Sequence, residues 1–342
     1  MKNLGKMFVL ALLQVGVIIS LPLFMEKGED ISPALPSAAV MAEEKTEPQR
    51  SELTQAETTT IRLLSAEGER ETELEEYLFG VVAAEMPASF EDEALKAQAV
   101  AARSYAMHRI ASGIHNGAIC SDYSCCQAWL SEDELKEKWG AYYEIYSDKI
   151  RSAVNETAGQ CLAYGGEAIL AAFHSSSGGK TESSENVFGQ AVPYLVSVES
   201  REDPEAVPDY VSSVEFTEDE LYAAIAAWDS EAAVRVSEGA LFSEAVFSTS
   251  GRLISVKLCG EEVSGSVLRK IFALRSADVS WERVGNGIRF IVTGYGHGVG
   301  MSQYGANNMA KQGMGWQEIV YHYYPGTNIV PVSSLEESVA AL

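Results

Sequence analysis

The sequence predicts an α+β fold, with mixed helices and short-strand sheets forming a cleft, an inserted subdomain, and an N-terminal transmembrane helix ahead of them. Three observations carry this prediction. Apolar residues recur at helical spacing between residues 74 and 109, short β-rich runs flank glycine turns further along, and residues 7 to 25 carry no charge. The 342-residue chain is 46% hydrophobic and 22% charged, which is ordinary for a globular protein.

The N-terminal apolar run, residues 7 to 25, follows Lys2 and Lys6. It is about long enough to cross a bilayer, and the lysines favour a cytoplasmic N-terminus with the rest of the chain outside. A cleaved signal peptide is the alternative, but the small residues at 37 to 39 lie well downstream of the run. We therefore expect an uncleaved, single-pass anchor in the cell membrane with an extracytoplasmic C-terminal domain.

These features divide the chain into segments. Residues 1 to 25 form the anchor, and residues 26 to 58, rich in Glu, Ser, Pro, Ala and Thr without periodicity, form a flexible linker. Residues 59 to 332 form the main domain. Within it, residues 205 to 290 carry little chemical signal, and we interpret them as an inserted subdomain.

The formal net charge of −24 bears on the kind of partner. A polyphosphate would be repelled by such a surface, so nucleic acid is a poor candidate. Added solubility is the simpler reason for the acidity.

A short strand near Thr59, Thr-Ile-Arg-Leu-Leu over residues 60 to 64, opens the main domain, and two helices that meet at a corner follow it. The first helix begins at Leu74, and Pro87 ends it, because the residue before a proline avoids helical angles. Ser89 stands where an N-cap is expected, and acidic residues fill the next turn of a second, alanine-rich helix.

Glu85 lies at the corner between the two helices. Its neighbours in sequence are apolar and it stands at a helix C-terminus, and both conditions raise the pKa of a carboxyl and suit it to general-acid catalysis. The alternative is an ordinary solvated glutamate. Lys96, Gln98 and Arg103 offer polar groups along the second helix, and we take them as candidate substrate-binding residues.

A loop with several soft metal ligands comes next, containing His115, Cys120, Cys125 and Cys126. Outside the cytoplasm a disulfide such as Cys120 to Cys126 is one interpretation. A zinc site is the other, because two thiolates and an imidazole provide three of the four ligands of a tetrahedral site. The spacing matches no standard zinc-finger pattern. The remaining cysteines, at 161 and 259, lie in apolar runs and are expected to be buried.

Residues from about Glu132 to Gly159 are expected to be helical, and residues 160 to 174 predict two strands around a Gly165-Gly166 turn. The second strand leads into a polar segment whose hydroxyls and glycines let donors approach a ligand closely. A phosphate loop is excluded there, because His174 stands where its first glycine is required. The candidate substrate-binding residues of this segment are Ser176, Ser177, Lys180, Thr181 and Glu182.

Within residues 205 to 290, a capping box from Thr217 to Glu220 predicts a helix through Trp228. A hairpin centred on Ser250-Gly251 and a helix over residues 264 to 275 follow.

A strand over residues 288 to 293 delivers a glycine-rich segment that contains His297. The flanking glycines remove side-chain bulk, so we expect His297 to be open to a ligand. A structural histidine is the alternative. A helix is expected to begin near Ser302, and Gln303 and Tyr304 at its start are candidate substrate-binding residues.

Three long motifs, in the same order, resemble the SpoIID/LytB family. The first runs from Glu-Met-Pro-Ala-Ser-Phe at residue 85 through Glu-Ala-Leu-Lys-Ala-Gln at residue 93 to Ala106. The second is Phe-His-Ser-Ser-Ser-Gly-Gly-Lys-Thr-Glu over residues 173 to 182, and the third is Gly-Tyr-Gly-His-Gly-Val-Gly-Met-Ser-Gln-Tyr-Gly-Ala over residues 294 to 306. The resemblance covers most of the chain between residues 57 and 331.

The resemblance implies a peptidoglycan lytic transglycosylase that cleaves the bond between N-acetylmuramic acid (MurNAc) and N-acetylglucosamine (GlcNAc) in denuded glycan strands, leaving 1,6-anhydro ends. Glu85 would be the single catalytic residue. It also implies a zinc ion held by His115, Cys120 and Cys126, with Cys125 as a spare or competing thiol. The implied partners are the amidase SpoIIP and the membrane protein SpoIIM, acting in engulfment during endospore formation.

Two alternatives remain. Some members of the LytB type are described as amidase enhancers that bind glycan without cutting it. A zinc hydrolase using a metal-bound water would instead leave reducing ends on its products.

Overall fold

The structure is a computed structural model that describes residues 59–66, 68–231 and 241–335. The helices are α1 (Leu74–Glu85), α2 (Asp92–Ala111), α3 (Glu132–Trp139), α4 (Tyr143–Glu156), α5 (Ser184–Phe188), α6 (Glu218–Trp228), α7 (Gly265–Ile271), α8 (Gln303–Lys311) and α9 (Trp316–Tyr323). The strands are β1 (Thr60–Ser65), β2 (Gly68–Glu73), β3 (Ile119–Cys120), β4 (Gln160–Tyr164), β5 (Glu167–Ala168), β6 (Phe173–His174), β7 (Val211–Phe216), β8 (Phe242–Phe247), β9 (Leu253–Leu258), β10 (Glu261–Ser264), β11 (Val279–Val284), β12 (Gly287–Thr293), β13 (Met301–Ser302) and β14 (Asn328–Pro331).

The strands form several small sheets, which confirms the predicted α+β class. Their orders are β2-β1-β3, β10-β9-β8, β11-β12-β7, β13-β6 and β14-β4-β5. The smallest of them, β6 paired in parallel with β13, matters most for the site, because it joins the second and third sequence motifs.

The predicted helix pair is present. The first helix, α1, ends at Glu85 because Met86, the residue before Pro87, takes extended angles (φ −119°, ψ 146°). The prediction that Ser89 caps α2 is wrong. Residues 87 to 90 form a turn closed by the N–H of Phe90 donating to the carbonyl of Pro87 (3.0 Å), and the N-cap of α2 is Glu91.

Helix α2 runs through the centre of the first hydrophobic core. Its alanines are small enough to let other elements approach on every side, and each residue from 97 to 104 is buried. It packs against α1, α4, α8, α9 and β4. A second hydrophobic core lies between Leu221 and Val292, mostly within the segment predicted as an inserted subdomain.

Several local predictions are confirmed. The Gly165-Gly166 turn has positive φ at both glycines (63° and 89°), as a tight hairpin of this kind requires. The capping box of Thr217 and Glu220 opens α6, and the hairpin of β8 and β9 turns through Gly251. The start of α8 is capped by the hydroxyl of Ser302.

Two elements differ from prediction. The helix expected over residues 132 to 159 is broken at Gly140, whose angles (φ 50°, ψ −121°) stop α3 before α4 begins. The second strand of the hairpin after β4 is interrupted, since β5 ends at Ala168 and β6 pairs elsewhere.

No helix in the described ranges is long and apolar enough to cross a bilayer. The predicted transmembrane helix over residues 7 to 25 and the linker after it lie outside those ranges, so both stay predictions.

A buried ion pair ties α2 to α1. The Arg103 guanidinium has no solvent-accessible surface and pairs with Glu75 (Nη2 to Oε2, 2.5 Å). It also donates to the backbone carbonyls of Gln160 (3.0 Å) and Val154 (3.3 Å). Arg103 therefore joins α1, α2, α4 and β4, and its donors face the protein interior.

Replacing Arg103 with methionine should lower the free energy of unfolding by about 3 to 5 kcal/mol, because the Glu75 charge loses its buried partner. Urea denaturation followed by circular dichroism would measure the loss. Lys136→Met is the matched control, since the exposed Lys136–Glu132 pair on α3 should contribute less than about 1 kcal/mol. Equal losses in both variants would contradict the assignment.

Candidate active site

Glu85, at the corner after α1, lies in apolar surroundings. The flanking Ala84 and Met86 are buried, while Glu85 itself keeps partial access to solvent. Burial raises the pKa of Glu85 from its ordinary value of 4.5 to about 7. The predicted environment of this carboxyl is therefore present.

Three groups from distant parts of the chain act on the Glu85 carboxyl and hold its pKa below the value that burial alone would give. The backbone N–H of Ala128 donates to Oε1 (3.2 Å), the Gln303 amide faces the carboxyl, and Lys138 contributes positive charge. Gln303 Nε2 makes no well-formed hydrogen bond to any described residue. All three groups favour the ionised form, so they would stabilise the carboxylate left after proton donation.

Lys138 interacts with the end of α1 as well as with Glu85. Its Nζ donates to the carbonyl of Ala83 (2.9 Å), one of the last carbonyls of α1, which no residue of the helix can satisfy. Burial lowers the pKa of Lys138, and the Glu85 charge opposes this shift. Neither Lys138 nor Ala128 carries a local sequence signal, because each approaches Glu85 only through the folding of the segment after the cysteine loop.

The second and third motifs pack backbone against backbone. Besides the β6 and β13 pair, Ser176 bridges to Tyr295 and Glu182 to Val299. The glycines of the third motif make this possible. A Cβ at Gly300 would lie 1.9 Å from the carbonyl oxygen of Ala172, and Gly300 has a positive φ of 71°.

The two glycines that flank His297 are in close contact with side chains. A Cβ at Gly296 would lie 2.7 Å from Cβ of His174, and one at Gly298 would lie 2.5 Å from Nε of Arg252. Gly296 and His297 also line a small cavity with Glu182 and Arg252, so the openness of His297 to a ligand stays a prediction. His297 is only partly accessible, its Nδ1 accepts from the N–H of Val299 (3.1 Å), and its ring lies 5.6 Å from that of Phe188. Burial, with the positive charges of Arg269 and Arg252, lowers the pKa of His297 to about 4, so the imidazole is neutral near pH 7.

A buried carboxylate, Glu202, joins the motif segments. Its Oε1 accepts from the N–H and hydroxyl of Ser177 (both 2.7 Å), from Ser200 (3.2 Å) and from Ser302 (2.5 Å). The Ser302 hydroxyl in turn accepts from the N–H of Gly305 and caps α8, whose first residue is Gln303. Sequence reasoning missed Glu202, since one acidic residue in a polar segment carries no signal.

The other candidates of the second motif are buried, except for Lys180. Ser176 and Thr181 are buried, and Lys180 pairs with Glu199 at the surface (3.1 Å). Glu182 accepts from Asn186, from the Ser183 N–H, and from the hydroxyls of Ser248 and Ser250. Although burial opposes it, these hydrogen bonds lower the pKa of Glu182.

Two of the candidates on α2, Gln98 and Arg103, have no exposed surface. Their assignment as substrate-binding residues needs correction, because the alanine surface of α2 is covered by other elements. Lys96 is partly exposed and pairs with Glu93 (2.7 Å) and Glu156 (2.6 Å), so its assignment stays a prediction. Of the predicted substrate-binding residues, all of them described, Gln303 is the one that acts on Glu85.

Tyr304, next to Gln303, is partly accessible. Its ring packs edge-on against Phe90 with the centroids 4.9 Å apart, and its N–H donates to the carbonyl of Ser175 (3.0 Å). It therefore links the second motif to the turn between α1 and α2.

The cysteine loop brings four possible metal ligands together. The ligand atoms of His115, Cys120, Cys125 and Cys126 all lie within 4.8 Å of one another. His115 Nε2 is 3.1 Å from Cys125 Sγ, so Cys125 is a full member of the group rather than a spare thiol. The three cysteines of this loop carry free thiols, and the Cys120 to Cys126 disulfide is not formed.

Comparison with known proteins agrees with the motifs. A family model described as stage II sporulation protein matches residues 66–164. Stage II sporulation protein D of Bacillus subtilis (strain 168) is 40% identical over 261 residues, which cover 75% of this chain and 74% of that protein. The chain belongs to the stage II sporulation protein D (SpoIID) family. The SpoIID protein of Bacillus amyloliquefaciens is 38% identical over 266 residues, which cover 76% of this chain and 75% of that protein.

A relative with a different name also matches this chain. It is an amidase enhancer of Bacillus subtilis (strain 168), 29% identical over 299 residues, which cover 74% of this chain but 40% of that protein. The predicted family is thus confirmed. The chain is also similar to a protein named amidase enhancer.

The raised pKa of Glu85 has a consequence for stability. Because the folded-state pKa (about 7) lies above the ordinary value of 4.5, the folded protein holds this proton more tightly than the unfolded chain. The favourable contribution of Glu85 to the free energy of unfolding is therefore fully present below about pH 4.5 and is lost as the pH rises through about 7.

Glu85→Gln should therefore raise the free energy of unfolding by about 1 to 3 kcal/mol at pH 8 and change it little near pH 4.5. Denaturant unfolding at both pH values would measure the difference. Asp133→Asn, at a side chain that is 97% exposed, is the control and should have no effect at either pH. A Glu85→Gln protein that is less stable than wild type at pH 8 would refute the assignment.

Proposed function

We propose that this protein is a lytic transglycosylase that cleaves the MurNAc–GlcNAc bond of peptidoglycan glycan strands and leaves 1,6-anhydro ends. The observation that carries the proposal is the environment of Glu85. Its carboxyl is desolvated enough to have a pKa of about 7, yet it is partly accessible to a ligand. A carboxyl with a pKa near the working pH can both donate and accept a proton.

The chemistry requires a single carboxyl to act twice. Protonated Glu85 donates its proton to the glycosidic oxygen as the bond from that oxygen to the anomeric carbon breaks. The resulting carboxylate then accepts the proton of the sugar's own 6-hydroxyl, whose oxygen attacks the anomeric carbon and closes the anhydro ring. No water is consumed, and Glu85 ends in its starting state. Ordinary glycosidases need a second carboxyl for the base or nucleophile role.

The surroundings of Glu85 suit this double role. The Ala128 N–H, the Gln303 amide and the Lys138 ammonium all favour the carboxylate form, whereas burial favours the acid. The opposing effects leave the two forms close in free energy, which keeps both proton transfers accessible. None of the groups that shift the pKa of Glu85 is another carboxyl.

We also propose a bound zinc ion. His115, Cys120 and Cys126 are the ligands that the family resemblance implies, and their ligand atoms lie within 4.8 Å of one another. Thiolate and imidazole are the donors that zinc prefers in proteins, so the residues fit the ion. When bound, zinc would cross-link the loop that precedes Gln127 and Ala128.

The cellular setting is proposed from the family alone. The chain would act outside the cytoplasm, anchored in the cell membrane through residues 7 to 25, on denuded strands produced by the amidase SpoIIP. SpoIIM would anchor the complex during engulfment in endospore formation. Membership of a family named for sporulation supports this setting.

The amidase-enhancer relative supports a second candidate function, in which the protein binds glycan and stimulates an amidase without cutting the strand itself. The two candidates differ in their dependence on Glu85. An enhancer would keep its effect on amidase rate when Glu85 is replaced by glutamine.

The central test is mass spectrometry of denuded glycan strands incubated with the full-length chain. Wild type should release anhydro-ended products, and Glu85→Gln should lower their rate of release by at least about 100-fold, because general acid catalysis contributes that much or more. Asp133→Asn serves as the matched carboxyl control. Intact strands with folded wild type would favour the enhancer, and products with reducing ends would favour a hydrolase.

The pH profile gives a separate prediction. Since the reaction begins from protonated Glu85, the rate should fall as the pH rises above about 7. Lys138→Met removes a positive charge that lowers the pKa of Glu85, so the alkaline limb should move to higher pH. Initial rates of anhydro-product release from pH 5 to 9 would measure the alkaline limb of the wild type and of Lys138→Met. An alkaline limb unmoved by Lys138→Met would contradict the proposed charge effect.

A further inference from the structure

Cys125, the fourth possible ligand of the cluster, would change the coordination of a bound metal. We propose that Cys125 is the fourth ligand of a closed, structural metal site, in which zinc has no coordination position left for water or substrate. The family resemblance supplies three ligands, and the position of Cys125 in this chain supplies the fourth. The proposal concerns the coordination of the ion and does not depend on the transglycosylase reaction.

The positions of the four donors fit tetrahedral zinc. With zinc–sulfur bonds of about 2.3 Å, the sulfurs of such a site lie about 3.8 Å apart, so a cluster within 4.8 Å needs only a small contraction. Cys125 is not peripheral, since its sulfur is 3.1 Å from Nε2 of His115. One turn fixes the two adjacent cysteines, because the N–H groups of Cys125 (3.1 Å) and Cys126 (2.7 Å) both donate to the carbonyl of Asp122.

The backbone holds His115 over the thiols at some conformational cost. His115 (φ 55°) and Asn116 (φ 56°) both adopt left-handed angles, which are unfavourable for residues other than glycine. The guanidinium of Arg62 donates to the carbonyl of Asn116, and so ties this loop to β1. The strained conformation brings His115 to the cysteines, as a metal ligand requires.

The charge of the site is also balanced. Zinc with three thiolates and a neutral imidazole carries one net negative charge, which needs a cation nearby when partly buried. The Arg109 guanidinium provides it. Its Nη2 donates to the carbonyl of Cys125 (2.7 Å) and lies 3.8 Å from the Cys125 sulfur. A site with only two thiolates would be neutral and would not need this arginine.

A closed site assigns the ion a structural role next to the proposed catalytic residue. Gln127 and Ala128 follow Cys126 directly, and the Ala128 N–H donates to Glu85. The Gln127 amide oxygen accepts from the hydroxyl of Tyr77 on α1 (3.2 Å). A bound zinc would therefore order the segment that reaches Glu85 and would have no coordination position left for a ligand.

Cobalt substitution of the full-length chain tests the fourth ligand. Thiolate-to-cobalt absorption in the near ultraviolet grows with the number of thiolates bound, so three are expected in wild type. In Cys125→Ala this absorption should fall by about a third, and zinc affinity, measured by competition with a chromophoric chelator, should fall at least about tenfold. Cys259→Ala, at a buried cysteine outside the cluster, is the control and should match wild type.

A measurement on the wild-type protein covers the case in which Cys125→Ala does not fold. Zinc should protect Cys120, Cys125 and Cys126 from alkylation, and a chelator should expose them, with tandem mass spectrometry resolving the two adjacent cysteines. Alkylation of Cys125 at the same rate with and without zinc, while the other two are protected, would overturn the proposal. So would an unchanged cobalt spectrum in folded Cys125→Ala.

Discussion

The site depends on one carboxylate oxygen, Oε1 of Glu202. The hydroxyls of Ser177, Ser200 and Ser302 donate to it, and Ser302 lies more than one hundred residues after the other two in the chain. A buried carboxylate is stable only when such donors replace the water it has lost. The Ser302 hydroxyl that donates to Glu202 also caps α8. It therefore links Glu202 to the start of that helix and to the position of Gln303. The interaction thus connects the packing of the motifs with the side chain that faces Glu85.

Opposing electrostatic effects meet at Glu85. Withdrawal from water favours the acid, and the surrounding donors and the Lys138 charge favour the carboxylate. The donors come from three different segments, so the balance requires the complete fold rather than the helix corner alone. The balance also holds the pKa of Glu85 at about 7, whereas Glu182, with four hydrogen bonds, is held as a carboxylate. Two glutamates in the motif regions therefore have opposite charge preferences, which suit one to proton transfer and the other to holding the structure.

Sequence reasoning identified what is encoded locally. The spacing of apolar residues gave α1, the proline rule gave its end, and the placement of Glu85 at that end followed from both. Contacts made by groups distant in the chain had no local signal, which is why Ala128, Lys138 and Glu202 were missed. The polar residues of α2 were misassigned for a related reason. An alanine-rich helix looks the same in sequence whether its small surface faces a ligand or, as around Arg103, other helices.

The burial of α2 has a consequence for how this chain can vary in length. A residue inserted into a helix rotates everything after it by about 100° and moves it about 1.5 Å along the axis. A surface helix absorbs such a change by presenting a new face to water. For α2, every residue from 97 to 104 already contacts a neighbour, so no face is available for the displaced side chains. An insertion or deletion within residues 97 to 104 should therefore disrupt the core, whereas the connecting loops on either side of α2 can change in length.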